Sequence, residues 1–140
     1  MDVWLSMLTL KYLGTTIDSL KDFCFSAAND LRNFYISANS ILNTLHRPNE
    51  EVLMQLLYTN CVPVLSYASA VKDYKASEMH DCNIALNKAI RRIFSFNRWK
   101  SICILRQNFG HKSLTEIFAY SKRKCFGSLS THGNSIVSFL

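Results

Sequence analysis

Apolar side chains recur at three- and four-residue intervals from Leu20 to Leu45, through Phe23, Cys24, Ala27, Leu31, Phe34, Tyr35, Ala38, Ile41 and Leu42. That period matches the α-helical turn, so it commits much of the chain to helices that bury one face. The same stripe returns at Met79, Cys82, Leu86, Ala89, Ile90, Ile93 and Phe94. Only two prolines and four glycines punctuate 140 residues, which excludes a disordered or collagen-like chain. With 49% apolar and 19% charged side chains, the composition is globular, and a chain of this length closes one hydrophobic core.

Thr9 to Ile17 breaks the helical pattern. TLKYLGTTI is β-branched and aromatic around Gly14, which predicts two short strands joined by a turn. From Leu20 a long helix is expected, capped by Asp18 or Ser19 and ended by Pro48. A second opens on Asn49, with Glu50 and Glu51 at the positive end of its dipole, and runs to about Ala70. Pro63 inside it removes a backbone donor and should kink it near Asn60 or break it into two pieces. Ser77 is the expected cap of a third helix. Ser101 to Phe109 reads as a brief helix stopped by Gly110, and Ser113 with Glu116 forms a capping box that opens a last helix to about Phe126. The predicted fold class is mainly α, a helical bundle over 19–126 with a small N-terminal β element at 1–18 and a tail at 127–140.

Charge is distributed unevenly. Residues 1–80 hold six basic and eight acidic groups, whereas residues 81–140 hold ten basic and two acidic groups, for a total of +6. Within the basic part, Lys88, Arg91, Arg92, Arg98, Lys100 and Arg106 are interleaved with Phe94, Phe96 and Trp99. Such a mixture suits a phosphate backbone with room for base stacking. The competing reading makes Ile93, Phe94 and Trp99 core and the charges a solubilising face.

Other chemistries lack their residues. No glycine-rich phosphate loop and no converging carboxylates are visible, so no cofactor or metal is expected. His80 and Cys82, the nearest approach to a zinc pair, are two apart and diverge on a helix. Nucleophilic catalysis would need a Cys or Ser with a positioned His, whereas His46, His80, His111 and His132 all fall near predicted helix ends or loops and read as solvated caps. Cys24, Cys61, Cys82, Cys103 and Cys125 form no CxxC pair, and their apolar neighbours mark them as small core side chains in a reducing compartment. Val52 to Val71 carries no charge over a bilayer-crossing length, but Gln55, Thr59, Asn60, Pro63, Ser66 and Ser69 argue for a central helix instead. The N-terminal MDVWLSMLTLK has neither a basic stretch before its apolar residues nor a small-residue cleavage site. No membrane association and a cytoplasmic or nuclear location are the expectations.

Four stretches in order carry a family resemblance: LKYLGTTID at 10–18, NFYISANSILNTL at 33–45, EEVLMQLLYTNCVPVLSYASAV at 50–71 and ALNKAIRRIFSFNRWKSI at 85–102. Together they resemble the region just beyond the catalytic palm in reverse transcriptases of non-LTR (LINE-type) retrotransposons, over roughly residues 9–126. The resemblance implies that 1–18 is the last β element of a palm and 19–126 a helical thumb-like domain. In that family the thumb holds a template and primer duplex by its backbone, which implies nonspecific binding of RNA or RNA:DNA duplex through Lys88, Arg91, Arg92, Arg98, Lys100 and Arg106. The family's metal-binding aspartates, in an F/Y-A-D-D motif, lie upstream of the YLG strand and are not found here, so the implied protein is a catalytically incomplete remnant of an RNA-directed DNA polymerase. Lys72-Asp73 departs from the apolar or aromatic residues of the family at that point. The alternative expectation is a helical protein-interaction or non-functional fragment without nucleic-acid binding, prone to self-association through exposed apolar surface.

Overall fold

A computed structural model describes residues 9–12, 15–19, 23–45, 48–67 and 69–131. Its architecture is mainly helical with a small N-terminal β element, as the sequence predicts. Strands β1 (Thr9–Tyr12), β2 (Thr15–Ser19) and β3 (Phe23–Phe25) form an antiparallel sheet in that order. Leu10 faces Ile17 across the first pair and Ile17 faces Phe25 across the second. Gly14, assigned to the turn between the first two strands, lies outside the described residues.

The third strand corrects the expected helix start at Leu20. Phe23-Cys24-Phe25 satisfies the helical period, but its aromatic residues also suit a strand, and pairing with the free edge of β2 decides between the two. Helix α1 therefore covers Ala28–Thr44. Its N-cap residue, Ala27, has no side chain to cap it, and locally only the Ser26 hydroxyl accepts from the Ala28 N–H, at 3.4 Å. Instead, the Ala27 N–H donates to Glu78 Oε1 at 3.3 Å, while Glu78 Oε2 accepts from the Lys75 N–H at 3.0 Å. One carboxylate thus ties the starts of two helices together.

Asn49 caps α2 (Glu50–Leu56) as predicted, its side chain accepting from the Glu51 N–H at 3.2 Å. The rod then widens into a π-helical turn over Leu57–Cys61 and resumes as α3 (Val62–Ser66). Pro63 explains the position of the wide turn. Its ring would strike the carbonyl four residues back and it has no N–H to give, so the turn before it opens to longer-range bonds such as Val62 N–H to Leu57 O. The rod ends at Ser66 rather than near Ala70, because the backbone leaves helical angles at Tyr67 and folds back toward α1. Among the described residues no helix is long and apolar enough to cross a membrane.

Helix α4 (Ala76–Ile93) begins after Lys75, not at a Ser77 cap. Its buried positions, Cys82, Ala85, Leu86, Ala89, Ile90 and Ile93, take in five of the seven residues of the predicted stripe and add Ala85, with Met79 and Phe94 half-buried at its ends; they meet Phe34 and Ala38 of α1, Met54, Leu57, Cys61 and Leu65 of the rod, and Leu114 and Phe118 of the last helix in one core. Helix α5 (Cys103–Asn108) ends in a Schellman motif. His111 N–H reaches Arg106 O at 3.0 Å, Gly110 N–H reaches Gln107 O at 2.9 Å, and Gly110 takes the positive φ of 68° that the motif demands. The capping box of α6 (Leu114–Thr131) forms as read: Glu116 N–H to Ser113 Oγ at 3.2 Å and Ser113 N–H to Glu116 Oε2 at 3.4 Å.

Three further expectations are corrected. Helix α6 continues through Gly127 to Thr131, so the tail expected from 127 starts later, and residues 132–140 lie outside the description. Of the cysteines, Cys61 and Cys82 are buried as expected, but Cys103 is exposed at the start of α5 and Cys125 is only half-buried. His111 is no solvated cap: its ring stacks on Tyr58 at 3.9 Å with 5° between the planes.

Candidate functional site

The solvent-facing side of α4 places Ile84, Asn87, Lys88 and Arg91 one above another, the i, i+3, i+4, i+7 row of a helix surface. The direction the chain takes after α4 determines what lies opposite that row. Phe96 N–H bonds Arg91 O at 2.9 Å and Ser95 N–H bonds Arg92 O at 3.4 Å, a second Schellman motif. Here the left-handed position is filled by Ser95, at φ 51°, where glycine is usual. The reversal carries Phe96 to Lys100 back along the basic row. Arg91 then pins the returning segment, its Nε and Nη2 each donating to Lys100 O at 3.4 Å.

Between the helix and the returning chain runs an open groove of about 680 Å³, lined by Ile84, Asn87, Lys88, Arg91, Arg92, Ser95, Phe96 and Arg98. A neighbouring cavity of about 440 Å³ shares Ser95 and Phe96 and adds Asn97, Trp99 and Lys100. On the other flank a smaller pocket of about 100 Å³ sits between α1 and α4, where Tyr35 and Asn39 meet Lys88 and Arg92. The Arg92 guanidinium donates to Asn39 Oδ1 across that pocket.

Five of the six basic residues singled out from the sequence therefore line two adjoining depressions, Lys88, Arg91, Arg92 and Arg98 the groove and Lys100 the cavity beside it. Arg106 does not: it sits on α5, near enough to Tyr58 for its charge to act on the phenol. Among the described residues, none of the six pairs with a carboxylate. Four of them instead lie against aromatic rings or amide oxygens: Arg91 and Arg92 on amides, Arg98 and Lys100 on rings. Arg98 Cζ stands 4.5 Å from the centre of the Trp99 ring, and Lys100 Nζ stands 4.1 Å from that of Phe96. Trp99 itself is 82% exposed, so it is not the core residue that the competing reading required. Phe94, by contrast, is half-buried against Phe96 and Phe109.

A second constellation escaped sequence reasoning. Lys72, 2% exposed, donates to Asp30 Oδ2 at 2.7 Å, and the Tyr74 hydroxyl donates to the same oxygen at 2.8 Å. Burial and the Asp30 carboxylate both push the Tyr74 phenol well above its ordinary range. Cys82, beneath the cluster, is pushed up to about 11, first by burial and then by the nearby carboxylates. Ser69 Oγ is buried close by in sequence without a hydrogen-bond partner. The cluster joins α1 to the segment that follows α3, and it accounts for the Lys72 departure: a lysine is used where a buried aspartate needs a counter-charge. Spacing could not have found it, since Asp30 and Lys72 belong to different elements.

Among the described residues, no group of three or more His, Cys, Asp or Glu is arranged to hold a metal ion. No family model, curated protein or solved structure matches the chain.

Proposed function

We propose that this protein holds RNA or RNA:DNA duplex by its phosphate backbone, without reading sequence, in the manner implied by its resemblance to the thumb of non-LTR retrotransposon reverse transcriptases. The observation that carries the reading is the gathering of Lys88, Arg91, Arg92, Arg98 and Lys100 around the groove and its adjoining cavity, with no carboxylate paired to them among the described residues. A surface that only needed solubility would gain nothing from collecting like charges, since their mutual repulsion costs stability. A polyanion repays that cost through counterion release. The aromatic rings under Arg98 and Lys100 hold two of the cations in place while leaving their charge outward.

On this reading the domain positions a duplex and does not perform nucleotidyl transfer, and a cytoplasmic or nuclear location fits the ligand. Salt titration of duplex binding is the test. With five phosphates engaged, log Kobs should fall against log salt with a slope of roughly −4.5, at about 0.9 per phosphate on duplex DNA. The R91E/R92E double variant should abolish most binding at moderate salt. A flat salt dependence, or retention unchanged by the charge reversal, favours the protein-interaction reading, in which self-association through exposed apolar side chains such as Ile36, Ile104 and Phe126 would dominate.

A further inference from the structure

An indole left 82% exposed on the rim of a cavity is apolar area whose burial by a ligand would be favourable. Trp99 is such a ring. The Arg98 guanidinium lies over it at 4.5 Å, and the cavity it lines has a volume of about 440 Å³, within the roughly 300–1,000 Å³ of small-ligand pockets. Its other walls combine a flat apolar surface, Phe96, with the Asn97 amide, which has both donors and an acceptor, and the Ser95 hydroxyl. That inventory fits a planar heterocycle with hydrogen-bonding edges. Because Ser95 and Phe96 also line the basic groove, such a heterocycle would remain connected to a backbone lying along Lys88, Arg91 and Arg98.

We propose that the Phe96–Trp99 cavity receives one unpaired nucleobase, stacked on Trp99, from the single-stranded stretch that leaves a duplex held in the groove. The inference rests on the function proposed above and specifies the form of its ligand: a duplex with a single-stranded extension is preferred to a blunt one. Base-paired residues cannot enter, because their faces are already stacked and their edges occupied. Any base has a π face, so the pocket adds affinity without sequence preference.

The full chain is titrated with three probes at fixed salt: a blunt RNA:DNA duplex, the same duplex with a short single-stranded RNA extension, and the same with an abasic extension. The base-bearing extension should tighten binding roughly five- to hundred-fold, the range that stacking one base on an aromatic ring spans, and the abasic extension should not. W99A should lose that gain, so that it binds the blunt and the base-bearing duplex alike whatever the loss of its hold on Arg98 does to both, and W99F should keep part of it. Exposure of Trp99 means that neither variant removes core. Equal affinity for the three probes overturns the proposal, as does a gain that survives in W99A. The blunt-duplex arm reports on the groove alone, so absence of salt-dependent binding there sinks the functional reading, whereas its presence without any extension effect sinks only the base pocket.

Discussion

Lys72 and Lys100 are the same residue put to opposite uses. Lys72 is sealed beneath the turn after α3, where its ammonium meets Asp30 and has no route to a ligand. Lys100 is exposed, laid across the Phe96 ring, and has no carboxylate partner among the described residues. The contrast extends to the regions around them. Where α1 meets the segment after α3, the buried charges of Asp30 and Lys72 neutralise each other and serve the fold; along α4 and the segment after it, charge is gathered and left open. Net charge alone does not distinguish these cases. Partnering does, because a buried charge without a counter-charge costs several kcal/mol, whereas an exposed one costs little and stays available.

The sharpest way to break the comparison is to remove the buried partner. Asp30→Ala leaves Lys72 charged in a closed site and deprives Tyr74 of its acceptor, so a loss of about 3–5 kcal/mol is expected in urea unfolding. Against the ~5–15 kcal/mol that holds a typical domain together, such a variant is marginal. Replacing both charges with apolar residues of similar size, as in Asp30→Leu with Lys72→Met, should restore most of the stability. If Asp30→Ala costs under about 1 kcal/mol, the cluster behaves as a surface ion pair and the distinction drawn here between the two lysines fails.

The legible parts of the molecule were those set by local chemistry. The α4 stripe, the Asn49 cap, the Gly110 stop and the Ser113–Glu116 box each depend on residues within a few positions of one another, and each stands where the sequence put it. The helix start was misplaced at Leu20 because β3 exists only by pairing with β2, a contact the helical period of Phe23 and Cys24 does not encode. The site divides in the same way. Lys88, Arg91 and Arg92 share a helix face and could be read together; Arg98 and Lys100 join them through the reversal at Ser95, a non-glycine residue at φ 51° that carries no sequence signal for such a turn. Arg106 was grouped with them by proximity in the chain, but α5 carries it elsewhere.

That separation gives the next test, a smaller effect confined to the basic half. Arg91→Ala should reduce the magnitude of the salt slope by about 0.9, one phosphate's worth, and should weaken duplex binding further because Lys100 O loses the two donors that pin the returning segment. Arg106→Ala removes an equal charge from a position outside the groove, and the slope should stay as it was. Equal losses from the two substitutions would mean that overall basicity, and not the groove, holds the polyanion.

The smallest effect concerns the stack at the far side of the rod, where Arg106 does sit near a titratable group. Burial pushes the Tyr58 phenol up to about 12, against a partial offset from the Arg106 charge, and burial pulls the His111 imidazole below its usual range. Both shifts favour neutral rings, as a parallel stack at 3.9 Å with the Tyr58 hydroxyl aimed at Lys112 O requires. Tyr58 ionises at higher pH folded than unfolded, so its contribution is whole below about 10 and is lost as the pH rises toward about 12. His111 protonates at lower pH folded than unfolded, so its contribution is whole above about 6.5 and is lost as the pH falls through the depressed folded value. Thermal unfolding followed against pH should therefore show a plateau with two shoulders, each worth a few degrees at most because both rings are partly exposed. Tyr58→Phe should flatten only the alkaline shoulder, with Tyr74 and Cys82 accounting for what remains of it, and His111→Phe only the acid one. If either substitution left its own shoulder unchanged, the stack would not be what links this face of the rod to pH.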